Sequence, residues 1–221
     1  MSRINTDGWN EDSVVLIESP LAKLHRAWMM SLLGFHRLVP DKQARILDLG
    51  CGSGPFLAYF ARRGYRRLCG IEPDSALIGN IPKYVGAEVK NCPAEQIEFA
   101  DSTFDVVFIY CVLHHLKDED AYRAACAEVL RVLKPGGHIF IVEPGRYRVF
   151  LALEFASWLL GFVSKTFRAL WNTMEEERPV QHHFLKNHHV VRERLLAGGV
   201  ETLRDDYFLY SWIFTARKPE H

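Results

Sequence analysis

A glycine-rich turn is the first feature of the sequence that could bind a ligand. Gly50-Cys51-Gly52-Ser53-Gly54-Pro55 follows a short apolar run and precedes a helix-like segment. Backbone N–H groups at a helix start favour an anion, and glycine lets the backbone approach a ligand closely. Alone, the same turn could simply connect a strand to a helix. Glu72 ends the next apolar run, and its carboxylate could accept two hydrogen bonds from a ribose diol.

The spacing of the glycines excludes two phosphate-binding motifs. The dinucleotide fingerprint G-x-G-x-x-G requires glycine at position 55, which is Pro55. The P-loop requires a second glycine and a Lys-Ser/Thr pair at positions that hold other residues here. We therefore expect an adenosine-like ligand whose tail carries a small anionic group and no phosphates.

Alternating strand-like and helical segments position these residues. Four short, nearly continuous apolar runs predict strands covered by helices on both faces: Arg45–Leu49, Arg67–Glu72, Phe104–Tyr110 and His138–Glu143. Three helices are predicted between these strands: Pro55–Arg63, Ser75–Ile81 and Asp118–Leu133. After the fourth strand, a helix is predicted at Val190–Ala197, followed by two strands at Val200–Leu209 and Ser211–Arg217. This order predicts an α/β fold with a doubly wound, mostly parallel sheet. Ligands of such sheets bind beyond the carboxyl ends of the strands.

Together these motifs resemble the class I S-adenosylmethionine-dependent methyltransferases. The resemblance lies in ILDLGCGSG, in Glu72 on the next strand, in FDVVFIYCVLHHL and in RVLKPGGHIFIVEP. It covers Arg45–Glu143 well, the N-terminal helix loosely, and the region after Gly145 only in its last helix and strands. The most similar branch methylates small molecules, including quinone and lipid-like acceptors. The resemblance implies a Rossmann-like methyltransferase sheet, S-adenosyl-L-methionine as cofactor and a small-molecule acceptor.

The resemblance also implies which residues bind the cofactor. The family's first motif holds the methionine end, and Asp48 with the backbone of Gly50, Cys51 and Gly52 matches it. Glu72 matches the acid that binds the ribose hydroxyls.

The loop that reads adenine in the family, usually G-D-A-E, resembles Cys92–Gln96 here. Pro93 stands where the acid is expected, followed by Ala94 and Glu95. The adenine would therefore rest on backbone groups and apolar contacts.

The residues after the fourth strand are the candidates for the methyl-transfer step. Tyr110 and Cys111 match residues that line the methionine and the methyl group, although Cys111 also fits a small buried apolar side chain. In-line attack on a sulfonium methyl depends mainly on positioning, and a base helps if the acceptor is a phenol, an acid or an activated carbon. His115 and Tyr110 are the catalytic candidates, with His114 and Glu143 nearby. One of the two histidines could instead pack while the other hydrogen-bonds to the backbone.

Composition and charge limit the partners. The chain has 221 residues, 48% of them hydrophobic, and its 27 basic and 27 acidic residues leave no net charge. No nucleic-acid partner is therefore expected. The five cysteines are odd in number and form no C-x-x-C pair, which predicts reduced thiols rather than disulfides or zinc ligands. The pairs His182-His183 and His188-His189 predict a solvated or substrate-contacting loop and no metal site, because adjacent side chains point in different directions.

We expect a single methyltransferase domain with four parts. Residues 1–44 form a helical cap, 45–145 the cofactor-binding core, 146–189 an apolar helical insertion, and 190–221 the last helix and strands. The cap helix begins at Ser19-Pro20 and is predicted to pack through one apolar stripe: Leu21, Leu24, Trp28, Leu32 and Phe35. The polar N-terminus and the lack of a long charge-free apolar run predict a cytoplasmic protein without a membrane span.

The insertion should decide which acceptor is used. Val149–Val163 is apolar on nearly every helical face, so it must be buried in protein or lie against lipid. It is shorter than the roughly 20 residues needed to span a bilayer. A lid over the acceptor pocket, a homodimer or partner interface, and peripheral membrane contact all fit. The first and third favour an apolar, aromatic or lipid-like acceptor.

The sequence is compatible with three functions. The leading one is an S-adenosylmethionine-dependent methyltransferase acting on a small, apolar or aromatic acceptor. The second is a catalytically silent cofactor-binding or scaffold protein of the same fold, suggested by Pro93 and by the lack of a decisive base. The third is a nicotinamide oxidoreductase, which Pro55 disfavours.

Overall fold

The computed structural model of the protein describes residues 20–145, 165–209 and 211–220. Its centre is a seven-stranded sheet with the order β3-β2-β1-β4-β5-β7-β6. The strands are β1 Arg45–Leu49, β2 Arg67–Ile71, β3 Glu88–Lys90, β4 Phe104–Tyr110, β5 Leu133–Pro144, β6 Glu201–Phe208 and β7 Ser211–Arg217. Strands β1 to β5 pair in parallel, and β7 runs antiparallel to both β5 and β6. The doubly wound, mostly parallel sheet predicted from the sequence is confirmed.

The helices follow the local signals of the sequence. They are α1 Pro20–Leu32, α2 Phe35–Leu38, α3 Pro55–Arg62, α4 Ser75–Ile78, α5 Glu119–Val132 and α6 Lys165–Ala197. Helix α3 begins with proline directly after Gly54, whose left-handed φ of 80° ends the glycine turn. Helix α5 is capped by Asp118, which accepts a hydrogen bond from the backbone N–H of Ala121 at 2.9 Å. These caps fix where each helix leaves the carboxyl or amino edge of the sheet.

The sheet separates two hydrophobic cores. On one face, Phe35, Phe56 and Phe60 from α2 and α3 pack against Phe108 and Phe140 of the sheet. On the other face, α5 and α6 cover β4, β5 and β7 with a second set of apolar side chains: Tyr122, Val129, Phe184, Val191 and Leu195. Because both faces are covered, the central strands are apolar at nearly every position.

The apolar stripe predicted for the N-terminal helix is wrong in part. Leu24 and Trp28 are exposed, at 67% and 40%, whereas Met29 and Met30 are buried. The helix also breaks before Phe35, because Gly34 adopts a left-handed φ of 63°. The face of α1 that packs against the core therefore differs from the face that the spacing of apolar residues predicted.

The segment after the core departs further from the prediction. Helix α6 runs without interruption from Lys165 to Ala197, so the predicted boundary at residue 189 falls inside it. Both histidine pairs lie on this helix rather than in a loop. Strand β5 begins at Leu133 rather than at His138, so it includes the residues Lys134 to Gly137, and strand β3 was not predicted.

The apolar segment of the insertion, Val149–Val163, lies outside the described residues, and so do the lid, dimer and membrane roles predicted for it. Among the helices that are described, none combines the length and apolarity that crossing a membrane requires.

Candidate functional site

The glycine turn lies at the carboxyl edge of the sheet, directly after β1 and next to the end of β4. The backbone N–H of Cys51 donates to the carbonyl oxygen of Ile71 at 2.9 Å, and that of Gly52 donates to Glu72 Oε2 at 2.9 Å. The turn after β1 is therefore bound directly to the end of β2. Glu72, placed at a ribose site by the resemblance, points its carboxylate toward this turn.

Two glycines of the turn differ in what surrounds them. A Cβ on Gly50 would lie 2.5 Å from Val112 Cγ2, a separation that real side chains essentially never show. Among the described atoms, none lies within 4 Å of the position of a Cβ on Gly52. Both residues have positive φ, 69° and 51°. Gly50 is thus required by the fold, whereas the backbone of Gly52 is open to a ligand.

The carboxylate of Glu72 is held in place from two sides. Its other oxygen, Oε1, accepts a hydrogen bond from the backbone N–H of Asp74 at 3.0 Å. Burial raises the pKa of Glu72, and the N–H groups of Asp74 and Gly52 offset part of that effect. Each oxygen keeps a second lone pair, so the fixed carboxylate can still accept hydrogen bonds from a diol.

Asp48 is a buried acid without full compensation. Its side chain is 3% exposed, and within the described residues its Oδ2 has no hydrogen-bond partner. Burial raises the pKa of this carboxyl well above its usual range, and the nearby Glu72 raises it further. Two carboxyl groups in a desolvated crevice favour a cation between them. The methionine end of S-adenosylmethionine, with its ammonium and sulfonium groups, fits that requirement.

The segment resembling the adenine loop places its three residues differently. Pro93 is exposed, Glu95 is half-buried, and the side chain of Ala94 is buried in the core. Ala94 can therefore meet a ligand only through its backbone. Sequence reasoning missed Asn91, whose amide donates to the carbonyl oxygens of Glu72 and Pro73, both at 2.9 Å. A polar amide directly after a strand was the available signal, and it joins the adenine-side loop to the ribose-side loop.

Tyr110 ends β4 at the same edge, and Cys111 and His115 lie in the loop that follows it. The ring of Tyr110 packs on Phe56 with centroids 4.7 Å apart. Cys111 has a left-handed φ of 54° although it is not glycine, and its N–H donates to the carbonyl oxygen of Val142 at 2.9 Å. Val112 is the next residue of this loop and packs against Gly50. Sequence reasoning missed it as well.

Of the residues considered as a base, only His115 and Tyr110 remain. His114 is 1% exposed and donates from Nδ1 to Glu143 Oε2 at 2.7 Å, so it takes the packing role. Glu143 is fully buried, and its oxygens already accept three hydrogen bonds, so the suggestion that it acts as a base is wrong.

His115 is exposed beside the ring of His114, at a centroid distance of 4.1 Å. Partial desolvation of the ring by the surrounding protein groups lowers the pKa of His115 to about 4. His114 lowers this pKa as well, whereas Glu143 raises it. The ring is therefore neutral at physiological pH and can accept a hydrogen bond.

Comparison with known proteins identifies the core. The family model described as "Methyltransferase domain" matches residues 47–141. The ubiquinone/menaquinone biosynthesis C-methyltransferase UbiE of Vibrio vulnificus is 32% identical over 135 residues, which cover 54% of this chain and 48% of UbiE. The chain thus spans about half the length of the relatives that it matches.

Solved structures show the same fold. One, from Methanococcus maripaludis and described as an S-adenosyl-L-methionine-dependent methyltransferase, superposes with a TM-score of 0.65 at 14% identity, covering 97% of this chain and 93% of that one. The magnesium protoporphyrin IX methyltransferase of Synechocystis, solved with bound SAH, gives a TM-score of 0.58 at 15% identity, covering 88% and 83%.

Residues 47–141 therefore match the methyltransferase domain family, as the resemblance to the class I S-adenosylmethionine-dependent methyltransferases predicted. The enzyme class and the cofactor predicted from the sequence are confirmed for this domain. Over the part of the chain that the structure describes, no three His, Cys, Asp or Glu side chains gather as a metal site.

Proposed function

We propose that the protein transfers the methyl group of S-adenosylmethionine to a small apolar or aromatic acceptor of the quinone or lipid type. The observation that carries the proposal is the buried carboxyl pair of Asp48 and Glu72 beside the open backbone of Gly52. It supports a cationic nucleoside ligand without phosphates.

Each residue of the crevice has a role in this proposal. Asp48 holds the ammonium group through its uncompensated oxygen, and Glu72 accepts hydrogen bonds from the ribose hydroxyls. The open Gly52 lets the backbone approach the methionine end. The cofactor supplies a methyl group on a sulfonium, an electrophile reactive enough that holding the acceptor in line and excluding water accomplish most of the catalysis.

His115 orients the acceptor. With a pKa of about 4 its neutral imidazole is a weak base, because efficient proton abstraction needs a pKa near the working pH. Accepting a hydrogen bond from an acceptor hydroxyl suits it better than removing the proton outright. A phenol or hydroquinone provides such a hydroxyl, and Tyr110 at the end of β4 is the second catalytic residue of the proposal.

Two observations support an apolar acceptor. The related UbiE is a C-methyltransferase of ubiquinone and menaquinone biosynthesis. Among the described residues, five of the six large exposed apolar side chains lie on α1 or on the β6–β7 hairpin, Tyr84 being the sixth: Leu24, Trp28, Leu203, Tyr207 and Leu209. The hairpin tip lies at the carboxyl edge, because Ser211 pairs with Pro144 at the end of β5.

All five cysteines are in the thiol state, which fits a reducing cytoplasmic compartment.

Titration with S-adenosylhomocysteine tests the proposal, using Gly52→Ala and a matched control. Gly86 has a φ of 61°, close to that of Gly52, and an equally open Cβ position, but it precedes β3 at the opposite edge of the sheet. The two substitutions should cost similar stability, about 1–2 kcal/mol each from left-handed backbone strain. Gly52→Ala should weaken binding at least tenfold, and Gly86→Ala should leave it unchanged.

Calorimetry measures the affinities, and radiolabelled methyl transfer to a short-chain prenylated hydroquinone then tests the acceptor class. Failure of the wild-type chain to bind S-adenosylhomocysteine would refute the proposal. Tight binding without turnover of apolar or aromatic acceptors would instead identify a silent cofactor-binding protein.

A further inference from the structure

A buried carboxylate at the end of β5 holds the loop that follows β4. Glu143 Oε1 accepts the backbone N–H groups of Val112 and Leu113, each at 2.7 Å. Glu143 Oε2 accepts the Nδ1–H of His114, also at 2.7 Å. Neither Glu143 nor His114 is accessible to solvent beyond 1%. One side chain therefore binds three consecutive residues of the neighbouring loop.

This arrangement is costly unless it serves the loop. Burying a carboxylate costs free energy unless hydrogen-bond donors compensate the lost hydration. An apolar residue at the end of a buried strand would avoid that cost. The loop itself is strained, because Cys111 is a non-glycine residue with a φ of 54°. The two N–H groups that follow Cys111 converge on the carboxylate, as in backbone sites that bind anions. Glu143 thus stabilises a conformation that the chain would not adopt alone.

The loop so held contacts the proposed cofactor crevice through Val112 and carries His115, the ring proposed to orient the acceptor. Val112 packs on Gly50, so closely that not even a methyl group fits between them. His115 follows immediately, with its ring against the ring of His114. A shift of the loop would displace both the wall of the glycine turn and the ring that faces the acceptor.

We infer that Glu143 is a positioning residue: through its bonds to Val112, Leu113 and His114 it sets the glycine turn for cofactor binding and orients His115 toward the acceptor. This role rests on the proposed function. Glu143 touches neither ligand in it and acts only through the loop.

The tautomer of His114 is part of this role. A carboxylate can only accept, so Nδ1 of His114 must carry the proton. His115 and Tyr122 are the other titratable groups affected by Glu143: the pKa of Tyr122 rises to about 12 through burial, with Glu143 and Asp118 adding to it. In Glu143→Gln the amide oxygen can still accept hydrogen bonds from both backbone N–H groups. The amide NH2 then faces Nδ1 of His114, which must lose its proton to accept a hydrogen bond from it. The substitution removes the charge and reverses the tautomer with little change in shape.

Asp105→Asn is the matched control. Asp105 lies near the start of β4, at the opposite edge of the sheet, where it accepts hydrogen bonds from the backbone N–H of Arg45 on β1 and from Lys134 Nζ on β5, both at 2.7 Å. Both substitutions turn a carboxylate that accepts backbone N–H into an amide. Only one of them lies beside the crevice.

Nitrogen-15 NMR of labelled histidines and calorimetry with S-adenosylhomocysteine provide the test. The wild-type chain should show His114 protonated on Nδ1 and a shift of the His115 signals on binding, assigned with His115→Gln. Glu143→Gln should reverse the tautomer, remove that shift and weaken binding about tenfold, the effect of one lost charge-assisted hydrogen bond. Asp105→Asn should bind as the wild type does.

If Glu143 had only a structural role, Glu143→Gln would lower the stability of the protein and leave the affinity of the folded protein unchanged. The inference is overturned if folded Glu143→Gln binds as tightly as Asp105→Asn and keeps the His115 shift. If the wild-type chain itself fails to bind, the proposed function is refuted and this inference with it.

Discussion

The contact between Gly50 and Val112 can be measured by a double-mutant cycle. In Gly50→Ala the new Cβ meets two methyl carbons of Val112 at 2.5 and 2.7 Å, at a residue whose φ is 69°. Left-handed strain contributes about 1–2 kcal/mol, and overpacking of this kind typically adds about 1–3 kcal/mol. We therefore expect Gly50→Ala to reduce the free energy of unfolding by about 2–5 kcal/mol.

Val112→Ala should relieve the clash. Alone it removes two partly buried methyl groups and costs about 1–1.5 kcal/mol. In the double variant only the backbone strain and this loss remain, so the two effects should fall short of additivity by about 1–3 kcal/mol. Gly86→Ala, with similar φ and open space, measures the strain alone.

Equilibrium urea unfolding of the four chains and the control is the assay, with the slope m checked for constancy. A coupling within 0.5 kcal/mol of zero, on the order of the usual error of additivity, would show that Val112 does not define the space at Gly50. Loss of stability in Gly86→Ala equal to that in Gly50→Ala would lead to the same conclusion.

Two further outcomes follow from the acids. Because burial keeps the pKa of Asp48 high and a bound ammonium group favours its carboxylate, binding of S-adenosylhomocysteine should release a proton at pH values below the raised pKa. Affinity should then rise with pH until that pKa is passed, and Asp48→Asn should flatten the dependence, as calorimetry in buffers of different ionisation enthalpy can show. Asp105 is the opposite case: burial acts to raise its pKa, but Lys134 and the N–H of Arg45 outweigh it, so the net shift is downward. The contribution of Asp105 to the free energy of unfolding is therefore present above the unfolded pKa near 4 and is lost as the pH falls through the lower folded pKa. For a side chain this exposed the contribution is at most about 1 kcal/mol. Unfolding curves at neutral pH should show that Asp105→Asn lacks it.

The strands of the core were predictable because burial on both faces leaves a mark in the sequence. Arg45–Leu49 and Phe104–Tyr110 were placed with their observed bounds from continuous apolar runs alone. The glycine turn and Glu72 were predictable for a related reason. Glycine at a positive φ and an acid after a strand are local requirements, visible without knowledge of the partners.

The periphery was harder to predict because its signals were ambiguous. In α1 several apolar residues compete for the core, and packing against α2 and the sheet selected Met29 and Met30 over Leu24 and Trp28. In α6 the buried positions Phe184, Val191 and Leu195 do recur at helical spacing. The four histidines around them, and Pro179 within the helix, obscured that pattern.

The sequence by itself determined which chemistry this chain could support: a nucleoside crevice built from a glycine turn and an acid on adjoining strands, with the class I sheet around it. Only the tertiary structure decided how the polar residues after β4 and β5 divide their work. His114 and His115 are neighbours in sequence, yet one is buried on Glu143 and the other faces solvent. The reason is physical: a buried acid must find its donors in space, and those donors lie some thirty residues earlier in the chain, on the adjoining strand's loop.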